Sequence, residues 1–359
     1  MARTLKEHAA SPTQLSVLRP DGTLREGVSP PMDDQLALEA LRWMMLSRAL
    51  DNRAIKLNRL GRLGVYGPVL GQEASVVGSH LAIDPAVDWL VPAYREQPAM
   101  LRHGYPLANL LAAYMGRPSA VRIPDGVRML PRQQSVGSQL PHAVGLAWGL
   151  RLQRSSAVVL TYAGEGASSE GDFHEACNLA GVVGAPLAIV VQNNGWAIST
   201  PSARQTGAGS IAARAPGYGL AGALVDGNDL FAVYAAAREA VERAQGGSGA
   251  TLIESRTFRM GFHNTTDNPG RYRDPKLEKE AAAVDPIRRV QLYLGLRGVF
   301  DDARRAAWEV EVAAEVDAAV GEVDSFPRPG LEDVFEHAYA ELPSRVQRQR
   351  AAMRKRGGS

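Results

Sequence analysis

The sequence predicts an α/β fold in which a mostly parallel sheet is flanked by helices. The prediction depends first on two apolar runs, Ala157–Ala163 and Leu187–Gln192, which have the length and β-branched content of buried strands. A helical pattern lies between them, and a strand, helix and strand of these lengths form a βαβ unit. The two strands of such a unit are parallel, and the crossover between them is right-handed.

The helix of this unit is predicted from its capping residues and its periodicity. Ser169 and Asp172 have the spacing of an N-terminal capping box. Gly184, followed by Ala185 and Pro186, is expected to end the helix. Apolar residues recur between these limits at i, i+3, i+4 and i+7, which gives the helix one buried face. They are Phe173, Ala176, Cys177 and Ala180.

Two polar residues lie just beyond the carboxyl ends of the two strands, Glu165 and Asn194. Ligands bind at this edge in open α/β sheets. A carboxylate and an amide oxygen at one edge suit a hard cation such as Mg²⁺. Water molecules and phosphate oxygens then complete the coordination shell of the ion. The N-terminus of the helix would attract an anion. A glycine turn alone is more often an ordinary βαβ turn, but the Asn193-Asn194 pair favours a metal–diphosphate site.

The composition is that of an ordinary globular protein and excludes several classes. The chain has 359 residues, of which 45% are apolar and 22% charged, so one large domain with appended segments is expected. With 40 Lys and Arg against 38 Asp and Glu, the net charge is +2, which argues against nucleic acid as a partner. Cys177 is the single cysteine, which excludes an intramolecular disulfide and a multi-cysteine zinc site.

Membrane insertion and export are not predicted. The sequence contains no apolar run of about 18 residues, the length needed to cross a bilayer. The first ten residues lack the apolar core of a signal peptide. We therefore expect a cytoplasmic protein with no membrane partner.

The remaining elements are predicted in order along the chain. Residues 1–32 have turn residues and little periodicity, which indicates an arm lying on a surface or a partner. A helix follows over Asp33–Asn58, then a short strand that begins at Trp89 and is followed by Tyr94-Arg95. A small-residue helix is predicted over Ala143–Leu152.

The second half of the chain adds another helix and another strand. The helix is predicted over Leu230–Ala244 and the strand over Leu252–Phe258. Asp226 and Asp229 could serve as metal ligands, but a strand-end turn and a helix N-cap explain them adequately. A polar loop, 259–273, follows the strand.

Helical patterns with alternating charge begin at Asp285, and the chain ends in a basic segment that we expect to be frayed and solvated. We therefore expect four parts. These are an N-terminal arm (1–32), a main domain (33–284), a C-terminal helical segment (285–344) and a basic tail (345–359).

The βαβ unit resembles the thiamine diphosphate motif, Gly-Asp-Gly to Asn-Asn, of the α subunit of the E1 component of 2-oxo acid dehydrogenase complexes. Here the motif runs from Gly164-Glu165-Gly166 to Asn193-Asn194, so Glu165 replaces the commoner aspartate and keeps the carboxylate. The resemblance covers most of the chain. It implies that the main domain has the thiamine diphosphate-binding fold, with thiamine diphosphate and Mg²⁺ as cofactors.

The resemblance also implies roles for individual residues. Glu165, Asn194 and the backbone carbonyl of Trp196 correspond to the metal ligands. His263, in the Arg-x-Gly-x-His loop, corresponds to the active-site histidine and also contacts the cofactor. Val136 corresponds to the residue that contacts the aminopyrimidine. The other implied cofactor-binding residues are Tyr94, Arg95, Gly164, Gly166 and Ala167.

The chain departs from the family pattern at several positions. Gln192 stands where some members have an arginine that touches the phosphate. Arg122 and Arg128 lie in a loop where many members have a histidine. Asn264 stands where mammalian relatives have a serine that a kinase phosphorylates, so we expect that switch to be absent.

The resemblance implies that the chain is an E1 α subunit that acts with a β subunit in an α2β2 heterotetramer. The β subunit supplies the glutamate that activates the cofactor, and the acyl group passes to a lipoyl group on the E2 core. The blocks Leu57–Gly64 and Ile123–Gly126 look like bacterial pyruvate dehydrogenase α chains, which favours pyruvate as the substrate. The blocks Gln139–Gly145 and Gln192–Ser199 resemble branched-chain 2-oxo acid relatives, which keeps 3-methyl-2-oxobutanoate as an alternative.

Two other functions fit the sequence less well. An NAD-dependent oxidoreductase would need a third fingerprint glycine and an acidic residue at the end of the second strand. Gly171 comes too late for that fingerprint, and the second strand ends in Asn193-Asn194. A non-catalytic subunit would have kept the fold and lost turnover, but the intact candidates argue against it: Arg95, Glu165, Asn194 and His263.

Overall fold

The computed structural model describes residues 12–336 and 339–357. The strands are β1 Trp89–Val91, β2 Val159–Gly164, β3 Leu187–Asn193, β4 Trp196–Ala197, β5 Thr200–Pro201, β6 Ala221–Asp226 and β7 Thr251–Arg256. Five of them form one sheet in the order β1-β2-β3-β7-β6, and every pairing in it is parallel. The remaining two, β4 and β5, form a small antiparallel hairpin.

The helices surround this sheet. They are α1 Asp34–Arg59, α2 Glu73–His80, α3 Gln97–Arg102, α4 Leu107–Tyr114, α5 Gln139–Leu152, α6 Gly171–Val183, α7 Leu230–Gln245, α8 Pro275–Ala283, α9 Pro286–Leu296, α10 Asp302–Glu322, α11 Asp333–Glu336 and α12 Ser344–Gly357. The predicted α/β fold with a parallel sheet flanked by helices is confirmed.

Both faces of the sheet are buried, because successive residues of a strand point to opposite sides. Leu160 and Val190 belong to a core cluster with residues of α1, α4, α7 and α10. Val159 and Ile189 belong to a second cluster with residues of α5 and α6. Strands covered on both faces read as continuous apolar runs, which is why the sequence predicted them.

The described part of the N-terminal arm covers one edge of the sheet. Leu15 pairs with Val225 of the edge strand β6, and this satisfies two backbone groups of that strand, the Leu224 carbonyl and the Asp226 N–H. Asp229 caps α7 and also accepts hydrogen bonds from the backbone N–H groups of Val17 and Leu18, at 2.6 and 2.7 Å. The N-cap interpretation of Asp229 is therefore confirmed.

The predicted capping box at Ser169 and Asp172 is wrong. Residues Glu165–Ser169 form a 3₁₀ turn, so the chain enters α6 through Glu170, which makes no side-chain cap hydrogen bond. Asp172 consequently lies in the first turn of the helix. The end of α6 is as predicted, because Gly184 takes the left-handed conformation with φ of 56°.

The expectation of a frayed C-terminus is wrong for the described residues. Ser344–Gly357 form the helix α12. Arg350 and Arg354 of this helix form ion pairs with the carboxylate of Glu332, which precedes α11. The division of the chain into four parts stays a prediction. Among the described residues, none of the helices combines the length and apolarity needed to cross a membrane.

Candidate active site

The predicted site residues meet in one cleft at the carboxyl ends of β1, β2 and β3. The cleft has a volume of about 250 Å³. It forms there because parallel strands end at the same edge and their following loops diverge. All ten predicted residues line it: Tyr94, Arg95, Val136, Gly164, Glu165, Gly166, Ala167, Asn194, Trp196 and His263.

Glu165 and Asn194 form the floor of the cleft. Gly164 of β2 lies in register with Gln192 of β3, so the residues that follow these strands are neighbours. One carboxylate oxygen of Glu165, Oε2, accepts a hydrogen bond from the Asn194 N–H at 3.3 Å. The other oxygen, Oε1, is buried and has no hydrogen-bond partner. Burial raises the pKa of Glu165, so a bound cation would offset a desolvation cost that the protein leaves unmatched.

The hairpin β4–β5 brings a backbone carbonyl to the same place. Ile198, between its strands, takes a left-handed conformation with φ of 53°, which is strained for a β-branched residue. The Arg259 guanidinium donates to the carbonyl of Ile198 at 2.8 Å and to that of Trp196 at 3.2 Å. A carbonyl oxygen has two lone pairs, so Trp196 keeps one for a metal ion.

These groups fit a magnesium ion. The Glu165 carboxylate, the Asn194 amide and the Trp196 carbonyl are oxygen donors of the kind that hard cations take. Among the described residues, no group of three or more His, Cys, Asp or Glu side chains is placed so that it could hold a metal ion. A cation in this cleft would therefore need water or ligand phosphate to complete its shell, as Mg²⁺ commonly does.

Arg95 and His263 form one wall of the cleft. Arg95 is 6% exposed, and it donates to the Pro68 carbonyl at 2.5 Å and to the His263 carbonyl at 2.9 Å. Its Nη2 also lies 3.2 Å from His263 Nδ1. The Tyr94 ring stands edge-on to the His263 ring, with 6.1 Å between centroids. The wall is thus a packed set of groups whose positions depend on one another.

The surroundings of His263 define its protonation. Burial, together with the positive charges of Arg95 and Arg259, lowers its pKa to about 4, so the imidazole is neutral at pH 7. Both guanidinium groups approach Nδ1, at 3.2 and 3.4 Å. Guanidinium groups only donate hydrogen bonds, so Nδ1 is the acceptor and the proton resides on Nε2. His263 can therefore donate one hydrogen bond from Nε2 to an oxygen in the cleft.

Glycines and small residues let backbone segments pack closely together around the cleft. A Cβ on Gly166 would lie 2.7 Å from the Cβ of Ala197, so only glycine fits there. Ala167 is buried beneath the cleft. Val136 lies on the rim and is 49% exposed, beside Gly137 with φ of 87°. The rim is thus open at the position that the resemblance assigned to the aminopyrimidine.

Sequence reasoning assigned no role to three buried polar residues of this region. Gln72 accepts a hydrogen bond from the Asn194 side-chain amide at 3.1 Å. Glu96 accepts one from the Gln192 amide at 2.7 Å, and burial raises the pKa of Glu96 to about 7. Arg259 is fully buried. The position of Arg259 in the Arg-x-Gly-x-His pattern could have indicated a role in the site. Gln72 and Glu96 lie near stretches that resemble the family, but no feature of the sequence marks them as site residues.

A family model described as the dehydrogenase E1 component matches residues 41–332. The chain belongs to the dehydrogenase E1 component family. The fold and cleft agree with that membership, which implies the use of thiamine diphosphate. It leaves the NAD-dependent alternative without support.

Several similar proteins are bacterial chains with one name. The pyruvate dehydrogenase E1 component subunit alpha of Bacillus subtilis (strain 168) is 38% identical over 327 residues, which cover 91% of this chain and 88% of the relative. The protein of that name from Bacillus cereus is 38% identical over 341 residues, covering 94% and 92%. The one from Staphylococcus epidermidis is 36% identical over 349 residues, covering 97% and 94%.

Proposed function

We propose that this chain is an E1 α subunit that acts with a β subunit in the oxidative decarboxylation of a 2-oxo acid, with pyruvate as the substrate. The observation that carries the proposal is the buried, unpartnered Oε1 of Glu165, beside Asn194 in a cleft walled by Arg95 and His263. Pyruvate is favoured because the relatives of 36–38% identity are named as pyruvate dehydrogenase subunits. The cytoplasmic location expected from the sequence is part of the proposal.

The residues of this chain would hold the cofactor at its diphosphate end. Glu165, Asn194 and the Trp196 carbonyl would bind Mg²⁺, and Arg95 would contact the diphosphate as a charged donor. When bound, thiamine diphosphate supplies the carbon nucleophile and the electron sink that decarboxylation needs. Gly164, Gly166 and Ala167 would let the backbone approach the diphosphate closely, while Tyr94 and Val136 line the cleft further out.

His263 would act on the substrate side of the cleft. Its Nε2–H group can donate to the carbonyl oxygen of a 2-oxo acid, and its low pKa keeps that donor neutral. A neutral donor orients an oxygen without adding a charge next to Arg95 and Arg259. Its contribution would be greatest where negative charge develops on that oxygen.

The cleft supports the need for a β subunit. The acidic residues that line it are Glu96, Glu165 and Glu170, all from the strand-end loops on the diphosphate side. The glutamate that the family uses to activate the aminopyrimidine would come from the partner, across the open rim at Val136. Acyl transfer to a lipoyl group on E2 is part of the same proposal.

The outer side of α5 and α6 has the character of a surface for that partner. We call this surface the α5–α6 face; its large apolar residues are 38–76% exposed, namely Trp148, Leu152, Leu179 and Val182. Exposed apolar residues clustered on two adjacent helices are typical of protein interfaces. The helices that carry this face begin beside the cleft, because α6 follows Glu165 and α5 follows Val136, and the face lies in their C-terminal halves.

One variant tests the role of this face. Val182→Glu should weaken association with the β subunit about tenfold or more, because a charge would be buried without a partner. Val310→Glu, at a site 70% exposed on α10, is the matched control and should not change association. Analytical ultracentrifugation of the mixed subunits measures both, and equal assembly of the two variants would contradict the assignment.

Activity measurements test the proposed function itself. The chain, co-expressed with its β subunit, should decarboxylate pyruvate faster than 3-methyl-2-oxobutanoate and transfer the acyl group to a lipoyl domain. The isolated chain should do neither. Full activity of the isolated chain would contradict the two-subunit proposal, and faster turnover of 3-methyl-2-oxobutanoate would contradict the substrate.

A further inference from the structure

A buried carboxylate in the middle of α1 lies behind the Arg95–His263 wall. Asp51 is fully buried, and it is not one of the residues that line the cleft. Burying a carboxylate is costly unless it is hydrogen-bonded. The hydrogen bonds of Asp51 identify what it does.

Among the described residues, the hydrogen bonds of the Asp51 side chain go to one loop, residues 66–71. Oδ1 accepts a hydrogen bond from the Tyr66 hydroxyl at 2.7 Å. Oδ2 accepts from the backbone N–H groups of Val69 at 2.8 Å and Leu70 at 3.0 Å. The carboxylate thus holds loop 66–71 at both ends, and all three of its partners are neutral donors.

Loop 66–71 in turn contacts the two residues of the wall. The carbonyl of Pro68 accepts a hydrogen bond from Arg95 Nη1 at 2.5 Å. A Cβ on Gly67 would lie 3.3 Å from that same Nη1, so the loop sits directly against the guanidinium. Arg95 Nη2 then reaches the carbonyl and Nδ1 of His263.

The loop also binds the segment that carries His263. The backbone N–H of Thr265 donates to the Tyr66 carbonyl at 2.9 Å, and that of Met260 donates to the Leu70 carbonyl at 3.1 Å. Loop 66–71 therefore touches Arg95 and the backbone on both sides of His263, and Asp51 holds it from the opposite side.

We propose that Asp51 is a positioning residue, which fixes loop 66–71 and thereby sets the position of Arg95 and the environment of His263. It touches neither substrate nor cofactor, and it acts through the Pro68 carbonyl and the Arg95 guanidinium. Its importance for catalysis rests on the proposed function, whereas its effect on His263 does not.

The chain offers a matched control for the loss of a buried aspartate. Asp88 is 2% exposed, and it accepts hydrogen bonds from the backbone N–H groups of Val158 and Asp84, at 2.8 and 2.9 Å. It lies at the amino ends of the strands, opposite the cleft. Asp51→Ala and Asp88→Ala therefore both leave backbone donors unsatisfied in the interior, and only the first should affect the wall.

Titration of His263 in the full chain tests the proposal without cofactor or partner. With ¹³C-labelled histidine, NMR spectra between pH 4 and 8 should show His263 beginning to titrate only at the acid end of this range, below pH 5, in the wild type and in Asp88→Ala. In Asp51→Ala, the pKa of His263 should rise by about one unit or more toward its ordinary value, because Arg95 is no longer held against Nδ1. Asp51→Asn should behave as the wild type, since its oxygen can accept from Val69 and Leu70 while its amide donates to the Tyr66 hydroxyl.

Two results would contradict a positioning role for Asp51. If His263 titrates alike in Asp51→Ala and Asp88→Ala, Asp51 does not position the wall and the proposal is overturned. Should Asp51→Ala fail to fold, Tyr66→Phe removes one of the three donors and should shift the titration in the same direction by a smaller amount. An unchanged titration in Tyr66→Phe would then overturn the proposal.

A second measurement tests whether Asp51 affects the use of the cofactor by the active complex. In the complex with the β subunit, Asp51→Ala should raise the KM for thiamine diphosphate about tenfold, since small displacements of positioning groups are costly. Asp51→Asn should stay within about threefold and Asp88→Ala should match the wild type. Equal KM values in Asp51→Ala and Asp88→Ala would also overturn the proposal. A wild-type complex without activity would count against the proposed function and leave the NMR result as the test of Asp51.

Discussion

The two halves of the cleft are built in different ways. Glu165 and Asn194 follow adjacent strands of one βαβ unit, and the register of β2 with β3 brings them together. Arg95 and His263 come from segments 168 residues apart and meet through hydrogen bonds to each other and to loop 66–71. The first half depends on backbone geometry, so surrounding substitutions should affect it little. The second depends on buried polar contacts, so distant substitutions should affect it strongly.

The largest expected effect is on the strand-end half. Glu165→Gln removes the negative charge while keeping the size of the side chain, so the metal site should fail although the fold persists. Activity of the complex should fall more than about 100-fold, because losing even an outer-shell partner of a metal site typically costs about 10–100-fold. Steady-state rates at saturating Mg²⁺ measure the loss. Glu239→Gln, on the exposed side of α7, should keep wild-type rates, and a similar loss there would argue against a specific role for Glu165.

Arg259 connects the two halves, and its loss should have the next largest effect. Its guanidinium donates to the carbonyls of Trp196 and Ile198 and approaches His263 Nδ1. Arg259→Met should lower kcat/KM by roughly 10–100-fold, as expected when groups that orient metal ligands are removed. Arg256→Met, three residues earlier and 40% exposed, is the control. Equal activities of the two variants would show that the halves do not share this contact.

The low pKa of His263 predicts a pH dependence of stability. The pKa of the folded form, about 4, lies below the ordinary 6.5, so the unfolded chain binds the proton more tightly between these values. The contribution is therefore fully present above pH 6.5 and is lost as the pH falls toward 4. Allowing for partial exposure of the ring, it should amount to on the order of 1–2 kcal/mol.

Denaturant unfolding of the isolated chain at pH 7 and pH 5 measures this contribution. His263→Gln should lose less stability than the wild type when the pH is lowered from 7 to 5. His142→Gln, at an exposed position on α5, should lose as much as the wild type. A His263→Gln variant with an unaltered pH dependence would contradict the assigned protonation.

The smallest expected effect concerns Gln192. Its amide donates to the Glu96 carboxylate, and both residues line the cleft. Gln192→Arg would keep a donor to Glu96 and add a positive charge near the diphosphate end. Thiamine diphosphate should bind about two- to fivefold more tightly, corresponding to roughly 0.5–1 kcal/mol. Calorimetry on the complex measures the change, with Gln192→Met as the uncharged control, and no tightening would indicate that Gln192 lies away from the diphosphate.

The contrast between the halves also explains what the sequence could predict. The strands, α6 and the meeting of Glu165 with Asn194 followed from local periodicity and from the rule that ligands bind at the carboxyl edge. Arg95 and His263 were found only through the family resemblance, because no spacing relates them. Asp51 could not be found either way, since a single acidic residue on a helix is usually solvated. Its burial depends on donors from a loop 15 to 19 residues further along.

Capping illustrates the same limit on a smaller scale. Ser169 and Asp172 have the right spacing for a capping box, but the 3₁₀ turn at Glu165–Ser169 displaces the helix start. That turn places Glu165 in the cleft, so the site geometry overrides the local capping preference. Local patterns predicted that a helix was present but not where it begins.

The most direct test of the account is whether thiamine diphosphate binding requires Mg²⁺. Calorimetric titration of the α–β complex should show tight binding with Mg²⁺ and little binding after the metal is removed by chelation. NAD should give no heat of binding under either condition. Thiamine diphosphate binding of equal affinity with and without the metal would contradict the assignment of Glu165, Asn194 and Trp196 as a metal site.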